Sequence, residues 1–570
     1  YLHSFRIQAR APQSKNQSLD DEEPLSFASD IRQYLQCSTL HGLRYIAEKK
    51  LTWFESKGLV YLTLPIVMMG SVRFSTNILL TLIKDKKYAY LRYRFFWLAA
   101  FSSSLICAGF FILNVYSKWR MSPMIVSINP ENMPLHGLPF PAITICNVNQ
   151  AKKSIAEGYQ KYGNSIDKKL LQSVCTTRGD IELFEDDIAG SADWDYTRSF
   201  LINVTQPCQE MLALCNWDSE KMNCQDLFNA QLTDEGLCCT FNVVHRKMMF
   251  RNPCNINQFS TIVFFYRRSL NDLNLTFPLP AVDWTPESGY PADSPMNGFP
   301  WRPRGTGTHH GLTLVLDANL AEYFCASTKS IGFKILLHNP TETPKLRNLG
   351  EIYGPGIEAR VAIKPRILDA NPSLQTIDIQ KRLCLFSSEK ELAFFRTYTI
   401  KNCEMECEAR ALLDVCNCVH YYMPKNKSTR ICGKVDAKCY NNMSIVMPEG
   451  REVECEECLQ ACTEIAYVER VSSAPLRNFL VEEIATNAGN KSAEYFTENM
   501  LVVHFFFEDN TFLRFTKGEI FGLTEFLSNT GGLLGLCMGF SIMSAVELIY
   551  YLTLRALCMA RRRPKHPFTN

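Results

Sequence analysis

The sequence predicts an α+β membrane protein in which two transmembrane helices bracket a large, disulfide-rich, β-containing extracellular domain. Three observations lead there. Two uncharged runs, Phe95–Tyr116 and Phe526–Val546, sit far apart in a 570-residue chain, and each is long enough to span ~30 Å of hydrocarbon. Nineteen of the 23 cysteines lie between them, from Cys146 to Cys462, a density that suits disulfides in an oxidising compartment. The acceptor sequons Asn203, Asn274, Asn426, Asn442 and Asn490 share that interval, and only Asn16 lies outside it. The formal net charge of +2 and mean hydropathy of −0.10 say that most of the chain is ordinary soluble protein, long enough for several domains.

From the N-terminus, residues 1–94 read as cytosolic. Tyr1–Gln33 is polar and charged, with no cleavable signal peptide, so Phe95–Tyr116 is expected to be the insertion signal. Lys84, Lys86, Lys87, Arg92 and Arg94 precede this first span at 95–116, while Arg555, Arg561, Arg562, Arg563 and Lys565 follow the second. The positive-inside tendency then places both termini in the cytosol, in a two-span plasma-membrane topology with the lipid bilayer as partner. The extracellular domain is expected over 117–518, a pre-pore segment and second, pore-lining helix over 519–554, and a basic tail over 555–570.

Within the external part, Phe140–Asn147, Thr261–Tyr266, Leu312–Leu316, Ile331–His338 and Met500–Glu508 are short runs rich in aromatic or β-branched residues, which predicts strands. Glu404–Val415 has helical spacing between its cysteines. Phe277–Gly311, rich in Pro and Gly, reads as a long loop. His309-His310 within it and Glu185-Asp186-Asp187 read as solvated loop groups rather than metal or proton sites. Cys403-x3-Cys407, Cys416-x-Cys418 and Cys455-x2-Cys458-x3-Cys462 admit zinc knuckles as an alternative, although the compartment favours disulfides. Spacing alone does not choose the connectivity, and the odd number leaves one thiol free, paired between chains or paired elsewhere.

The second span carries the chemistry. Gly531–Tyr551 contains Gly531, Gly532, Gly535 and Gly539, together with one carboxylate, Glu547. Glycine weakens a helix, and a plain anchor has no use for it. Irregular backbone at membrane depth is tolerated only inside protein or along water, and an ionisable group there is a functional hypothesis by default. The segment reads as a pore, which a two-span subunit cannot enclose alone, so several copies in closed cyclic symmetry are expected.

Five ordered blocks carry a resemblance: Ser38-Thr39-Leu40-His41-Gly42, Phe140-Pro141-Ala142-Ile143-Thr144-Ile145-Cys146-Asn147, Cys238-Cys239-Thr240-Phe241-Asn242, Tyr398 through Cys462, and Gly539-Phe540-Ser541. On these the chain resembles the epithelial sodium channel/degenerin family, in its insect pickpocket-like branch. The resemblance implies a trimer of itself or of sister subunits, a sodium-selective or sodium-preferring and amiloride-sensitive current, and gating by an extracellular stimulus that the sequence leaves unknown, in a sensory setting. Gly539, Phe540 and Ser541 become the selectivity filter, with Phe540 larger than the family's usual middle residue. Glu547 becomes a ring of carboxylates, Ser528 the gate at the degenerin position, and His41 with Gly42 a cytosolic gating motif. It also implies the pairs Cys146–Cys238, Cys215–Cys224, Cys384–Cys462, Cys403–Cys458, Cys407–Cys455, Cys416–Cys439 and Cys418–Cys432. Cys455-x2-Cys458 is one residue longer than the family spacing. Cys175, Cys208, Cys239, Cys254 and Cys325 fall outside this framework, and two further bridges with one leftover are expected among them.

One stretch departs from the family pattern. Residues 56–92 separate Glu48–Glu55 from the first span, with apolar runs broken by Pro65 and Arg73. An extra span would put the N-terminus outside; an interfacial helix or a retained, translated intron is simpler, and of these the intron or a mis-joined exon is the favoured expectation. No cofactor is expected beyond permeant sodium, no resident metal, no nucleic-acid partner and no enzyme activity, since no HExxH, phosphate-binding Gly-rich loop or GxSxG elbow occurs. Two rival functions are a non-conducting receptor or adhesion ectodomain and an ATP-gated purinergic-type channel. The glycine-broken span argues against the first; His41-Gly42, Gly539-Phe540-Ser541 and the cysteine ladder argue against the second.

Overall fold

The computed structural model describes residues 34–35, 38, 40, 86–121, 124–175, 194–251, 262–263, 281–426, 428–433, 436–440, 455–487, 491–520, 522–550 and 553. His41-Gly42, Glu185-Asp186-Asp187, Cys254, Asn16, Asn274, Asn442, Asn490 and most of the 56–92 stretch lie outside them. The chain divides into a unit of residues 124–519 and a second unit made from 1–123 and 520–570.

In chain order the second unit opens with α1 (Lys86–Met121). The larger unit then runs β1 (Met124–Pro134), β2 (Ala142–Asn147), β3 (Asn149–Lys152), α2 (Lys153–Tyr162), α3 (Ser165–Cys175), α4 (Trp194–Val204), β4 (Leu212–Trp217), β5 (Glu220–Met222), β6 (Phe228–Thr233), β7 (Gly236–Phe241) and β8 (Ile262–Val263). It continues through β9 (Leu312–Asp317), β10 (Tyr323–Ala326), β11 (Phe333–His338), β12 (Glu351–Tyr353), β13 (Ile357–Ala370), β14 (Cys384–Leu385) and α5 (Ile400–Cys416). It closes with β15 (Gln460–Ala461), β16 (Glu464–Pro475), α6 (Asn478–Asn487), α7 (Ala493–Asn499), β17 (Met500–Phe507) and β18 (Thr511–Glu519).

Two sheets organise this unit. An eight-stranded sheet runs β1-β18-β13-β17-β9-β4-β5, with β16 also paired to β13, and a six-stranded sheet runs β12-β11-β2-β7-β6-β8. The long strand β13 shows why it forms: Ala359, Val361, Ile363 and Ile367 are buried while Arg360, Lys364 and Arg366 point out, the two-residue alternation of a half-buried strand. Pro365 sits inside it without breaking a ladder. On one side β17 pairs only as far as Ile363 and β18 begins at Ile367, so the missing N–H falls in the gap between partners. Phe140, fully buried, anchors the core with edge-on contacts to Trp217, Phe241 and Phe507 at centroid distances of 5.0, 6.1 and 5.3 Å.

Two buried polar links cross the six-stranded sheet. His338 Nδ1 lies 3.0 Å from the Asn339 carbonyl and must donate to it, so Nε2 accepts from Thr144 Oγ1 at 2.9 Å. Thr144 in turn bonds Thr240 at 3.0 Å, which ties β7, β2 and β11 together. Burial pushes the His338 ring down to about 4, because a charged imidazole would lose its hydration there. Lys334 donates to Glu235 at 2.6 Å with both side chains almost fully enclosed.

Among the described residues nine disulfides staple the unit: Cys146–Cys238, Cys175–Cys325, Cys208–Cys239, Cys215–Cys224, Cys384–Cys462, Cys403–Cys458, Cys407–Cys455, Cys416–Cys439 and Cys418–Cys432. Three of them start on α5, at Cys403, Cys407 and Cys416, and a fourth at Cys418 just past its end; Thr399 caps this helix by accepting from the Asn402 amide, and it ends at Asn417 in the left-handed region. The zinc-knuckle alternative is overturned: every cysteine proposed for it is consumed in a disulfide, and the Cys418, Cys432 and Asp436 group has two of its three sulfur or oxygen ligands bonded to each other. Cys403–Cys458 forms despite the longer spacing.

The runs predicted as strands yield β2, β9, β11 and β17, and Thr261–Tyr266 supplies the short β8. Glu404–Val415 lies within α5. Between 281 and 311 the backbone is irregular apart from a single 3-10 turn, Thr308–His310. His309 and His310 are both exposed, as expected of a solvated loop pair, and His310 adds one contact the sequence did not show: its Nδ1 meets Asp218 at 2.8 Å, and Asp218 also pairs with Arg304 at 3.1 Å. The two sequons within the described residues, Asn203 at the end of α4 and Asn426, are both exposed.

Candidate pore segment

The second unit is a helix pair. Within α1, Tyr93–Met121 is 29 residues long, with a mean hydropathy of 2.0 over an 18-residue stretch, and it is the one unbroken helix among the described residues long and apolar enough to cross a membrane. Most of its apolar side chains face outward, among them Ile106, Phe110 and Leu113. The inside-out pattern has a simple cause: when lipid is the solvent, burial inside the protein is not what satisfies an apolar residue.

The second half of the pair is α8 (Leu523–Met538) followed by α9 (Ile542–Ile549). The expected single helix is here two helices, bent by 74° at the Gly539-Phe540-Ser541 break. The local sequence explains the break. Gly539 takes φ 65° and ψ 23°, the left-handed conformation that lacks a Cβ clash only for glycine. Its amide donates to the Gly535 carbonyl at 2.9 Å, and the Phe540 amide reaches the Leu534 carbonyl at 3.3 Å, so the turn satisfies carbonyls that a helix end would orphan.

Ser541 then starts α9. Its hydroxyl accepts from the Ser544 amide at 3.3 Å, and the Ser541 amide donates to the Ser544 hydroxyl at 3.2 Å, a reciprocal capping box. The Ser541 hydroxyl in this conformation therefore serves the helix start. Glu547 lies half-buried on α9, past the bend rather than on a straight continuation of α8.

On α8, Ser528, Gly532, Gly535 and Gly539 recur at spacings of four, three and four, which puts them on one stripe of the helix. Ser528 is exposed. A Cβ built on Gly531 or Gly532 meets no heavy atom within 4 Å, and one on Gly535 meets only the Phe540 carbonyl at 3.9 Å. Nothing among the described residues therefore requires glycine at these positions. His41 and Gly42 lie outside the described residues.

Two groups of contacts join α1 to α8. Phe526 stacks on Trp119 at 5.3 Å and meets Tyr116 edge-on at 6.4 Å. At the other end the Ser104 hydroxyl donates to the Cys537 carbonyl, two residues before Gly539. Sequence reading passed over Ser104 and Ser544. The available signals were the Ser102-Ser103-Ser104 run in an otherwise apolar span and the Ser-x-x-Ser spacing at 541–544.

Comparison with known proteins agrees with the motifs. The profile described as "Amiloride-sensitive sodium channel" matches residues 34–551. The chain is 38% identical to Pickpocket protein 28 of Drosophila melanogaster over 97% of this chain and 83% of that protein. It is 24% identical to the sodium channel protein Nach of the same fly, over 80% and 81% of the two chains. It is 23% identical to acid-sensing ion channel 4 of Rattus norvegicus, over 83% and 77%. With a profile match over nearly its whole length and a relative this similar, the chain belongs to the amiloride-sensitive sodium channel family, the epithelial sodium channel/degenerin group of membrane proteins.

Proposed function

We propose that the chain is a subunit of a trimeric, sodium-selective or sodium-preferring cation channel of the plasma membrane, gated by an extracellular stimulus and blocked by amiloride. The observation that carries this reading is the glycine-capped break of α8 at Gly539, with Gly531 and Gly532 open, a Cβ on either meeting no heavy atom within 4 Å among the described residues, and Gly535 meeting only the Phe540 carbonyl at 3.9 Å. Small residues facing away from their own subunit suit the close approach of other subunits around an axis. A backbone turn at that level offers carbonyls that replace an ion's hydration shell. Ser541 and Phe540 complete the constriction, and Glu547 supplies negative charge beyond the bend. Ser528, exposed on the glycine stripe, is where α8 helices would close, and His41-Gly42 would modulate them from the cytosol. α8, the break and α9 together form the second span, with both termini cytosolic.

The test is voltage clamp of cells expressing the full chain carrying Ser528→Val, with and without a sister subunit. A standing, amiloride-blocked current whose reversal potential follows external sodium is expected. Silence in both settings, with protein verified at the surface, would overturn the proposal.

A further inference from the structure

Ser104 sits in the middle of an apolar helix, where a serine ordinarily bonds the carbonyl four residues back in its own helix. Here it does not. Its hydroxyl crosses to α8 and donates to the Cys537 carbonyl at 2.5 Å, a contact between residues 433 apart in sequence. That carbonyl belongs to the last turn of α8, where helical carbonyls run out of intrahelical donors, and the Gly539 and Phe540 amides have already gone to Gly535 and Leu534. Ser104 is half-buried, and Ala108, one turn along the same face of α1, is fully buried.

The register of the pair supports a designed contact. Ser104 and Tyr116 stand twelve residues apart on α1, and Phe526 and Cys537 eleven apart on α8. At 1.5 Å per residue both are about 16–18 Å, so antiparallel helices meet at both ends without slippage. The aromatic contact of Trp119 and Tyr116 with Phe526 fixes one end, and the Ser104 bond fixes the end next to the break.

We infer that Ser104 is a positioning residue for the ion pathway: its hydroxyl, delivered by the first span, holds the Cys537 carbonyl and thereby sets the orientation of the carbonyls at the Gly539 turn. The inference rests on the channel reading, and selectivity is the property it governs. Without the hydroxyl, the last turn of α8 rotates more freely and its carbonyls match sodium less well.

The experiment compares Ser104→Ala with Ser104→Thr in the full chain, both on the Ser528→Val background. It reads two quantities: the sodium-to-potassium permeability ratio, and the rate at which N-ethylmaleimide labels Cys537 in intact membranes, resolved by peptide mass spectrometry. Cys537 is a free, half-buried thiol on the turn concerned. Ser104→Ala is expected to lower the permeability ratio and to raise the labelling rate, each by about threefold, the size of an average interhelical hydroxyl bond in a membrane. Ser104→Thr, which keeps the hydroxyl, is expected to stay near the parent in both. Unchanged ratio and unchanged labelling in Ser104→Ala overturn the inference while leaving the channel reading intact, as does a threonine variant as impaired as the alanine one. If no current flows in any variant, the channel reading fails, and the labelling rates alone decide whether Ser104 holds the turn.

Discussion

Replacing Gly539 tests why the second span breaks where it does. At φ 65° and ψ 23° an alanine Cβ collides with its own backbone, at a cost of roughly 1–2 kcal/mol. Alanine also favours a continuous helix through this point by about 1 kcal/mol over glycine. The two act in the same direction, so Gly539→Ala shifts the balance from bent to straight by roughly 2–3 kcal/mol, or about 30- to 150-fold. Asparagine enters the left-handed region with little strain and is a poor helix former, so Gly539→Asn shifts it far less although its side chain is larger. The assay is standing current per surface subunit on the Ser528→Val background. If backbone conformation is the reason for the glycine, current falls in the order glycine, asparagine, alanine. If room for neighbouring subunits is the reason, alanine outperforms asparagine, and that result would refute the argument from the left-handed turn.

Acid should loosen the six-stranded sheet through His338. Its folded value is pushed down to about 4 from an unfolded 6.5, so the unfolded chain binds the extra proton between those values and stability falls as pH drops through that window. Linkage puts the loss at about 2 kcal/mol by pH 5 relative to pH 7. Hydrogen exchange of peptides covering β2, β7 and β11 should accelerate accordingly in wild type, and His338→Gln should remove that part of the pH dependence; equal slopes would exclude the histidine. Lys334→Met leaves the Glu235 carboxylate buried, with Arg347 3.9 Å away as its nearest remaining cation, and should destabilise by about 3 kcal/mol in thermal unfolding. Adding Glu235→Gln should recover much of that loss, and no recovery would mean that packing rather than charge was at stake. Finally, Asn203 and Asn426 should both carry glycans that a peptide N-glycosidase removes. Unmodified asparagines at both sites would contradict an extracellular 124–519 unit.

Elements whose signal is local were legible in the sequence. The first apolar run follows from length and the absence of charge, and β2, β9, β11 and β17 follow from runs rich in β-branched and aromatic residues. The candidate pore segment was picked out from Gly531, Gly532, Gly535, Gly539 and Glu547, because their chemistry is costly in hydrocarbon wherever it occurs. The seven bridges named from the resemblance came from matched motifs, since spacing cannot choose among pairings. Residues whose roles depend on a distant partner were missed. Asp218 meets His310 across 92 residues and Ser104 meets Cys537 across 433, and neither separation leaves a pattern in the chain.

What the sequence determined by itself was therefore the class of protein: where it is apolar enough to enter lipid, which part is rich enough in cysteine for disulfides, and that the second apolar run is broken by glycines and followed by a carboxylate. Tertiary structure decided how the leftover cysteines pair, as Cys175–Cys325 and Cys208–Cys239, because a disulfide needs two sulfurs brought together by the fold. It decided that the second span bends by 74° at Gly539, since glycine permits a left-handed turn but only the hydrogen bonds to Gly535 and Leu534 and the Ser541 cap hold one there. It also decided that a serine of the first span reaches the last turn before that break, a contact that exists only once two helices far apart in sequence lie side by side.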